Sequence, residues 1–157
     1  MNKSNIIKLA ISLVIPLAVG SIAGIVTAQS VSTWYASLNR PSFAPPNWLF
    51  GPVWTSLYIL LGISFFIIWK QNPSKERNRA IAVFLLQMFL NFGWTFCFFY
   101  FKIIGLALVE IIVLWITIVA MLFLFYKIKP VAAYLNFPYL LWVSFATVLT
   151  AGYYFLN

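Results

Sequence analysis

Long apolar stretches, interrupted by single charges or short charged groups, form the dominant pattern of this chain. Four long stretches carry no charge, and a fifth, between Lys102 and Lys127, contains only Glu110. Because a helix needs about 20 mainly apolar residues to cross a bilayer, the pattern predicts five membrane-spanning helices. We place them at about 8–29, 50–70, 80–101, 105–126 and 134–156.

The spans are predicted to be helices, because lipid offers no hydrogen-bond partner to backbone groups that a strand would leave open. The first span is too long for the apolar core of a signal peptide and lacks an A-x-A cleavage pattern, so we expect it to be retained. The predicted fold is an all-α membrane protein. It is expected to be a single five-transmembrane-helix bundle over residues 1–157, since no repeat or boundary is visible.

Composition supports a membrane protein and excludes several kinds of chemistry. Of 157 residues, 64% are apolar and 8% are charged, against about 25% charged in a soluble domain. With no His and only Cys97, the chain offers no metal site of the usual His/Cys kind and no Ser-His-Asp or Cys-His nucleophile. The net charge of +8 does not indicate nucleic-acid binding, because the basic residues are scattered between apolar runs.

The basic residues predict the orientation of the chain. With five spans, the N-terminus shares one side with the second and fourth connections. That side holds Lys3, Lys8, Lys70, Lys75, Arg77, Arg79, Lys127 and Lys129. The opposite side holds only Arg40 and Lys102. The positive-inside rule therefore predicts a protein of the cell membrane with a cytoplasmic N-terminus and with the C-terminus and first loop outside.

The connections differ in length. Residues 71–79 are expected to form a short polar turn, and the tight connection at 102–105 predicts an antiparallel pair of spans three and four. The first loop, 30–49, is longer and contains Pro41, Pro45 and Pro46. Because proline fixes the backbone, we expect this loop to be an ordered cover rather than a flexible linker.

Polar and aromatic side chains lie at depths where a membrane belt does not explain them. Gln87, Asn91 and Trp94 share one face of span three. Two amides at mid-bilayer depth indicate either hydrogen bonds between helices or a ligand site. Glu110, the lone acid within a span, is either a paired structural group or part of a proton or substrate relay.

Two other helices offer aromatic pairs to a common interior. Trp54 and Tyr58 share a face of span two, and Tyr139 and Trp142 share a face of span five. Flat aromatic faces with a few amides and hydroxyls suit a planar, mostly apolar ligand better than an ion.

Span one carries small residues, Gly20, Gly24 and Ala28, at every fourth position. Such a ridge permits close helix packing, either within one chain or between two copies.

Five segments together resemble the TspO/MBR family, the tryptophan-rich sensory proteins related to the mitochondrial translocator protein. They are WYASLNRPSFAPP at 34–46, FGPVWTSLY at 50–58, QMFLNFGW at 87–94, GLA at 105–107 followed by Glu110, and PYLLWVSFA at 138–146. The resemblance implies a five-helix bundle, often a homodimer, with a pocket closed by the first loop. Family members bind porphyrins such as protoporphyrin IX and drugs of the benzodiazepine and isoquinoline carboxamide types, and some bacterial members are reported to degrade porphyrin in light.

The resemblance also implies a set of pocket residues. Carried over by position, they are Tyr35, Pro45, Trp54, Tyr58, Asn91, Trp94, Tyr139, Trp142, Phe145 and Ala146. Of these, Trp54 and Trp142 match the tryptophans linked to porphyrin chemistry and are the candidate catalytic residues.

The end of span five departs from the family pattern. Where the family's steroid-recognition segment has a basic residue after its tyrosine, Tyr153 and Tyr154 are followed by Phe155, Leu156 and Asn157. We therefore do not expect sterol recognition at that place. Thr150 also stands where Asn is frequent.

These observations favour a receptor for a porphyrin or a similar planar ligand, with no resident cofactor. Arg40 is the candidate partner of a porphyrin propionate. The enzymatic hypothesis is light-dependent oxidative breakdown of the bound porphyrin, in which the protein supplies geometry and the porphyrin supplies reactivity. A transporter or carrier of porphyrin or sterol is the third hypothesis, although no coupling-ion site or inverted repeat is visible.

Overall fold

A computed structural model describes residues 2–157 of the chain. The described part is helical, and five stretches are long and apolar enough to cross a membrane. The helices are α1 (Lys3–Val31), α2 (Trp34–Ser37), α3 (Phe50–Trp69), α4 (Lys75–Thr95), α5 (Ile104–Ile128), α6 (Pro130–Tyr134) and α7 (Phe137–Leu156). A 3₁₀ turn, Asn47–Leu49, precedes α3, and a π-helical turn, Phe96–Tyr100, extends α4. The predicted fold class, a bundle of five spanning helices, is confirmed.

Local sequence determines where these helices begin. The Asn2 side chain accepts a hydrogen bond from the Asn5 amide at 2.9 Å and so caps α1. Ser74 caps α4 in the same way, accepting from the Arg77 amide at 3.1 Å. Proline stands at the start of α6, where its missing N–H costs no hydrogen bond.

These signals shift several of the predicted boundaries. Because Ser74 caps α4, residues 75–79 are helical and the polar connection expected over 71–79 is shorter. α1 begins at Lys3 rather than at residue 8. The fifth span begins with the separate short helix α6, and its long helix starts at Phe137.

The helices form a ring in which α1 packs along α3, α4 packs along α5, and α5 packs along α7. α1 also contacts α4, which closes one side of the ring. α3 meets α6 but does not pack along α7, so aromatic side chains bridge α3 and α7 instead. The predicted antiparallel pair of spans three and four is α4 and α5.

The bundle has two unlike halves along its axis. The packed half contains the start of α1, the end of α3 and the short helix α6. Its core is a stack of phenylalanines, in which Phe65 and Phe84 lie 4.1 Å apart at 6° and Phe84 and Phe125 lie 6.3 Å apart. The hollow half contains the end of α1, the start of α3, the end of α7 and the first loop.

The first loop is ordered, as its prolines predict. The backbone of Asn39 binds the side chain of Asn157 through two hydrogen bonds. The backbone N–H of Asn39 donates to Oδ1 of Asn157 at 2.8 Å, and Nδ2 of Asn157 donates to the backbone carbonyl of Asn39 at 3.1 Å. Pro41 and Phe43 lie against Gly152 of α7, where a Cβ would come within 2.9 Å of the proline ring. The loop is thus fastened across the end of α7.

Candidate aromatic cavity

The hollow half encloses a cavity of about 430 Å³ between α1, α3, α4 and α7. This volume falls within the range of about 300–1,000 Å³ that is typical of small-molecule sites. No charged side chain is among its lining residues in the part of the chain that the structure describes. A cavity with this lining suits an apolar or neutral molecule, because a bare ion would lack compensating charge.

The cavity brings together seven of the ten residues that the resemblance assigns to a pocket. They are Tyr35, Trp54, Tyr58, Asn91, Trp94, Trp142 and Ala146. Tyr35 comes from the first loop, and the others come from three helices that the sequence places far apart. Whether these residues bind a ligand stays a prediction.

Three of the assigned residues do not lie on the cavity wall. Tyr139 is fully buried one layer behind the wall, because its hydroxyl bonds Gln87 and Asn91. Phe145 packs against the Trp142 ring, with centroids 5.5 Å apart. Pro45 stays in the first loop and contributes its carbonyl to the Arg40 guanidinium.

Arg40, the candidate propionate partner, also lies off the wall. Its guanidinium donates to the carbonyls of Ala44 and Pro45 and is exposed. This geometry holds the charge at the loop's own backbone, and its contact with a propionate stays a prediction.

A chain of hydrogen bonds crosses the floor of the cavity. The Tyr58 hydroxyl donates to Oδ1 of Asn91 at 2.7 Å, and Nδ2 of Asn91 donates to the Tyr139 hydroxyl at 3.1 Å. The Tyr139 hydroxyl in turn donates to Oε1 of Gln87 at 2.8 Å. The two interpretations of the amides therefore separate: Gln87 joins helices, whereas Asn91 joins helices and also faces the cavity.

Aromatic rings form the walls above this floor. Trp54 stacks on Tyr58 at 5.4 Å and 25°, and stands edge-on to Trp142 at 6.5 Å and 89°. On the opposite side, Trp94 stacks on Phe98 at 5.5 Å. Flat faces on two sides match the shape of a planar ligand.

Two indole N–H groups of this wall are unusual. Nε1 of Trp94 and Nε1 of Trp142 are buried, and neither has a hydrogen-bond partner among residues 2–157. A buried donor without an acceptor costs about 1–3 kcal/mol. Because neither nitrogen is accessible from the cavity, the two residues line it with the carbon atoms of their rings.

Several wall residues carried no signal in the sequence argument. Phe98 and Phe99 both line the cavity, because the π-helical turn widens the helix and brings neighbouring residues to one side. Leu149 and Tyr153 also line it. Extending the helical spacing from Trp142 along α7 would have found them.

The small residues of α1 do not all pack against a neighbouring helix, because some of them line the cavity. A Cβ on Gly20 would overlap the Tyr58 ring, so glycine is required for this close approach. Gly24 and Ala28 lie on the cavity wall, and a Cβ on Gly24 would meet nothing within 4 Å. The ridge thus combines one packing contact with an open wall.

A hydrogen bond between two tyrosines joins the first loop to α7 at the cavity wall. The Tyr153 hydroxyl donates to the Tyr35 hydroxyl at 2.7 Å, and both residues are buried. Burial, together with this bond, raises the pKa of the Tyr35 phenol well above its usual value, although the nearby Arg40 charge opposes the shift. Tyr35 is therefore neutral at physiological pH. Tyr153 therefore faces the interior of the bundle and not its outer surface.

Glu110 lies apart from the cavity wall. Both carboxyl oxygens are buried and have no hydrogen-bond partner among residues 2–157, and a Cβ on Gly93 of α4 would lie 3.7 Å from Oε1. The paired acid that the sequence allowed is therefore not formed among these residues, and the relay stays a prediction.

The bundle and its cavity define a multi-pass helical membrane protein with an aromatic-lined internal chamber. Comparison with known sequences identifies the family. The profile of the TspO/MBR family matches residues 12–156, and the chain belongs to this family.

Relatives come from archaea, bacteria and animals. The chain is 43% identical to the tryptophan-rich protein TspO of Archaeoglobus fulgidus, over 98% of this chain and 99% of the relative. It is 36% identical to the translocator protein of Homo sapiens, over 74% of this chain and 70% of the relative. It is 34% identical to the tryptophan-rich sensory protein of Cereibacter sphaeroides, over 74% and 72%.

Proposed function

We propose that the protein is a membrane receptor that binds a planar tetrapyrrole such as protoporphyrin IX, or a drug-like aromatic molecule, in this cavity. The observation that carries the proposal is the uncharged lining of the cavity, in which the rings of Trp54, Trp94 and Trp142 stand near the Asn91 amide. Aromatic faces hold the ring of the ligand, and the Asn91 amide meets a polar group at its edge.

A titration of the purified protein with protoporphyrin IX in the dark tests this proposal. We expect saturable quenching of tryptophan fluorescence. Trp142→Phe keeps an aromatic ring but reduces its face, so the affinity should fall by up to about tenfold, the value of one aromatic contact. Trp48→Phe is the matched control, because Trp48 is 71% exposed and lies outside the cavity. Absence of saturation in the wild type would refute the receptor proposal.

The same titration examines Arg40. Because its guanidinium bonds loop carbonyls, Arg40→Gln should change porphyrin and drug affinities equally. A loss confined to the porphyrin would support the propionate contact that the sequence argument favours.

A second candidate is photo-oxidation of the bound porphyrin. Trp54 and Trp142 stand 6.5 Å apart on the same wall, so a ligand lying there would touch both. The excited porphyrin would take an electron from an indole and pass it to dioxygen, and the oxidised indole would then take one electron back from the porphyrin ring. The superoxide formed adds to the oxidised ring, so dioxygen is the oxidant and supplies the oxygen of the cleaved product. Under light, loss of the porphyrin absorption band should be slower with Trp54→Phe/Trp142→Phe than with Trp48→Phe. Equal rates would exclude a role for the two indoles.

We propose a cytoplasmic N-terminus with the first loop and C-terminus outside, in the cell membrane; fusion reporters at the two ends should report opposite sides. We propose a homodimer, to be measured by the mass of the protein in lipid nanodiscs. Transport or carriage of porphyrin or sterol remains the alternative function, and uptake into vesicles by the purified protein would distinguish it from a receptor.

A further inference from the structure

The cavity wall is unevenly exposed. Wall residues on α4 and α7 are buried or half-buried, whereas the exposed ones belong to α1, to α3 and to the turn before it. On α1 they are Ser21, Gly24 and Ala28; on the other side they are Asn47, Gly51 and Thr55. The cavity therefore reaches the outer surface of the bundle between α1 and α3.

The spacing of these two helices explains the opening. In the packed half they touch closely, since a Cβ on Gly62 would lie 2.8 Å from the backbone of α1. Contact continues to Gly20, which meets the Tyr58 ring. One turn further, Gly24 has no neighbour within 4 Å, and neither does Gly51. The helices thus diverge beyond Gly20 and leave a slot.

Apart from Asn47, in the turn before α3, the edges of the slot present no free side-chain donor among residues 2–157. The Ser21 hydroxyl donates to the Leu17 carbonyl at 2.8 Å, and the Thr55 hydroxyl donates to the Gly51 carbonyl at 2.9 Å. The helices therefore satisfy these hydroxyl donors themselves. Ile25, which is 61% exposed, stands beside the slot on α1. A spanning helix exposes such surface to lipid, so the slot faces hydrocarbon rather than water.

By contrast with the slot, the end of the cavity under the first loop is covered, and hydrogen bonds hold this loop in place. The reciprocal bonds of Asn39 with Asn157 hold the loop to α7, and the bond between Tyr153 and Tyr35 holds it to the cavity wall. From this difference we infer that the ligand reaches the cavity sideways from the bilayer, through the slot between α1 and α3. The inference rests on the proposed function and assigns its ligand to the class of flat molecules dissolved in hydrocarbon.

Stopped-flow quenching in phosphatidylcholine nanodiscs tests the route. The probe is protoporphyrin IX dimethyl ester, which carries no charge and dissolves in the bilayer. The slot variant is Gly24→Leu/Thr55→Leu, which adds bulk on both edges. Its matched control is Ala18→Leu/Ser56→Leu, because both positions are exposed on the same helices but lie off the cavity wall.

We expect association and dissociation of the ester to slow together by about tenfold or more in the slot variant, because a blocked route slows passage in both directions. Since both positions also border the cavity, the criterion is the fall of both rates relative to the control pair and not the dissociation constant alone. Rates equal to those of the control would overturn the slot. A weakened dissociation constant with unchanged association would also overturn it, since the leucines would then occupy the site itself.

A loop variant tests the other route. Asn39→Ala/Asn157→Ala removes the reciprocal bonds, and lateral access predicts an unchanged association rate. A tenfold faster association would place the route under the loop and reject the slot. The failure of the proposed function is distinguishable, because the wild-type protein would then show no saturable quenching.

Discussion

Aromatic side chains fill the packed half of the bundle, whereas in the hollow half they surround a cavity. In the packed half, phenylalanine rings stack face to face, and Phe84 lies between Phe65 and Phe125 with no exposed surface. In the hollow half, Trp54 and Trp142 stand edge to face and leave space between the helices. Rings from α3, α4 and α5 that stack across the bundle fill the core, whereas Trp54 and Trp142, from facing helices, leave space between them.

Glycine shows the same contrast between the halves. Gly62 lets α3 approach the backbone of α1, while Gly24 adjoins open space. The absence of a side chain closes the bundle at one level and opens it at another. A cavity in this protein is therefore built as much by missing side chains as by the aromatic ones that line it.

The largest expected effect on stability comes from removing one phenyl ring, and its size should differ between the two halves. Phe84→Ala should lower the free energy of unfolding by about 3 kcal/mol, the low end for such a truncation, because the unfolded chain stays in an apolar medium. Phe98→Ala should cost about 1 kcal/mol less, since one side of Phe98 already borders the cavity. Unfolding by a graded denaturing detergent measures both. Equal losses would contradict the division into halves.

A smaller effect is expected from adding one methyl group to each half. In Gly62→Ala the new Cβ lies 2.8 Å from the Ser12 carbonyl oxygen, so α1 and α3 must separate, at about 1–3 kcal/mol. In Gly24→Ala nothing lies within 4 Å, and alanine favours the helix slightly. The midpoint of thermal unfolding should fall for Gly62→Ala and stay level or rise for Gly24→Ala. The reverse order would show that α1 and α3 do not diverge.

The fold could be predicted from the sequence because lipid restricts the possibilities. Uninterrupted apolar length determines a spanning helix, and charges separate one span from the next. The exact ends could not be predicted in this way. They depend on caps such as Ser74 and on the break between α6 and α7, which the apolar pattern does not record.

The site was predictable only in part, for a geometric reason. Helical spacing identifies a face, so it found Trp54, Asn91 and Trp142. It does not say which residue of a face reaches the cavity and which lies behind it, and Tyr139 lies behind. The contribution of α1 to the cavity wall was not predicted, because glycine offers no side chain to interpret. Phe98 and Phe99 were not predicted, because the π-helical turn changes which residues share a face of the helix.

The smallest expected effect concerns the polar layer where the two halves meet. Tyr139→Phe removes the hydroxyl that accepts from Asn91 and donates to Gln87. At about 0.6 kcal/mol per bond in a membrane bundle, the loss of stability should be roughly 1 kcal/mol, and Tyr58→Phe, which removes one bond, should lose about half of that. Tyr126→Phe is the control, because Tyr126 is 52% exposed and outside the cavity.

Measurements of ligand affinity distinguish two roles of the Tyr139 hydroxyl in this layer, orienting the Asn91 amide and stabilising the bundle. Tyr139 does not touch the cavity, yet it orients the Asn91 amide that does. Tyr139→Phe should therefore change the preference between two ligands that differ only in a carbonyl group, measured as the ratio of their dissociation constants. A ratio equal to that of Tyr126→Phe, despite the lost stability, would mean that the floor of the chamber acts as core and not as part of the site.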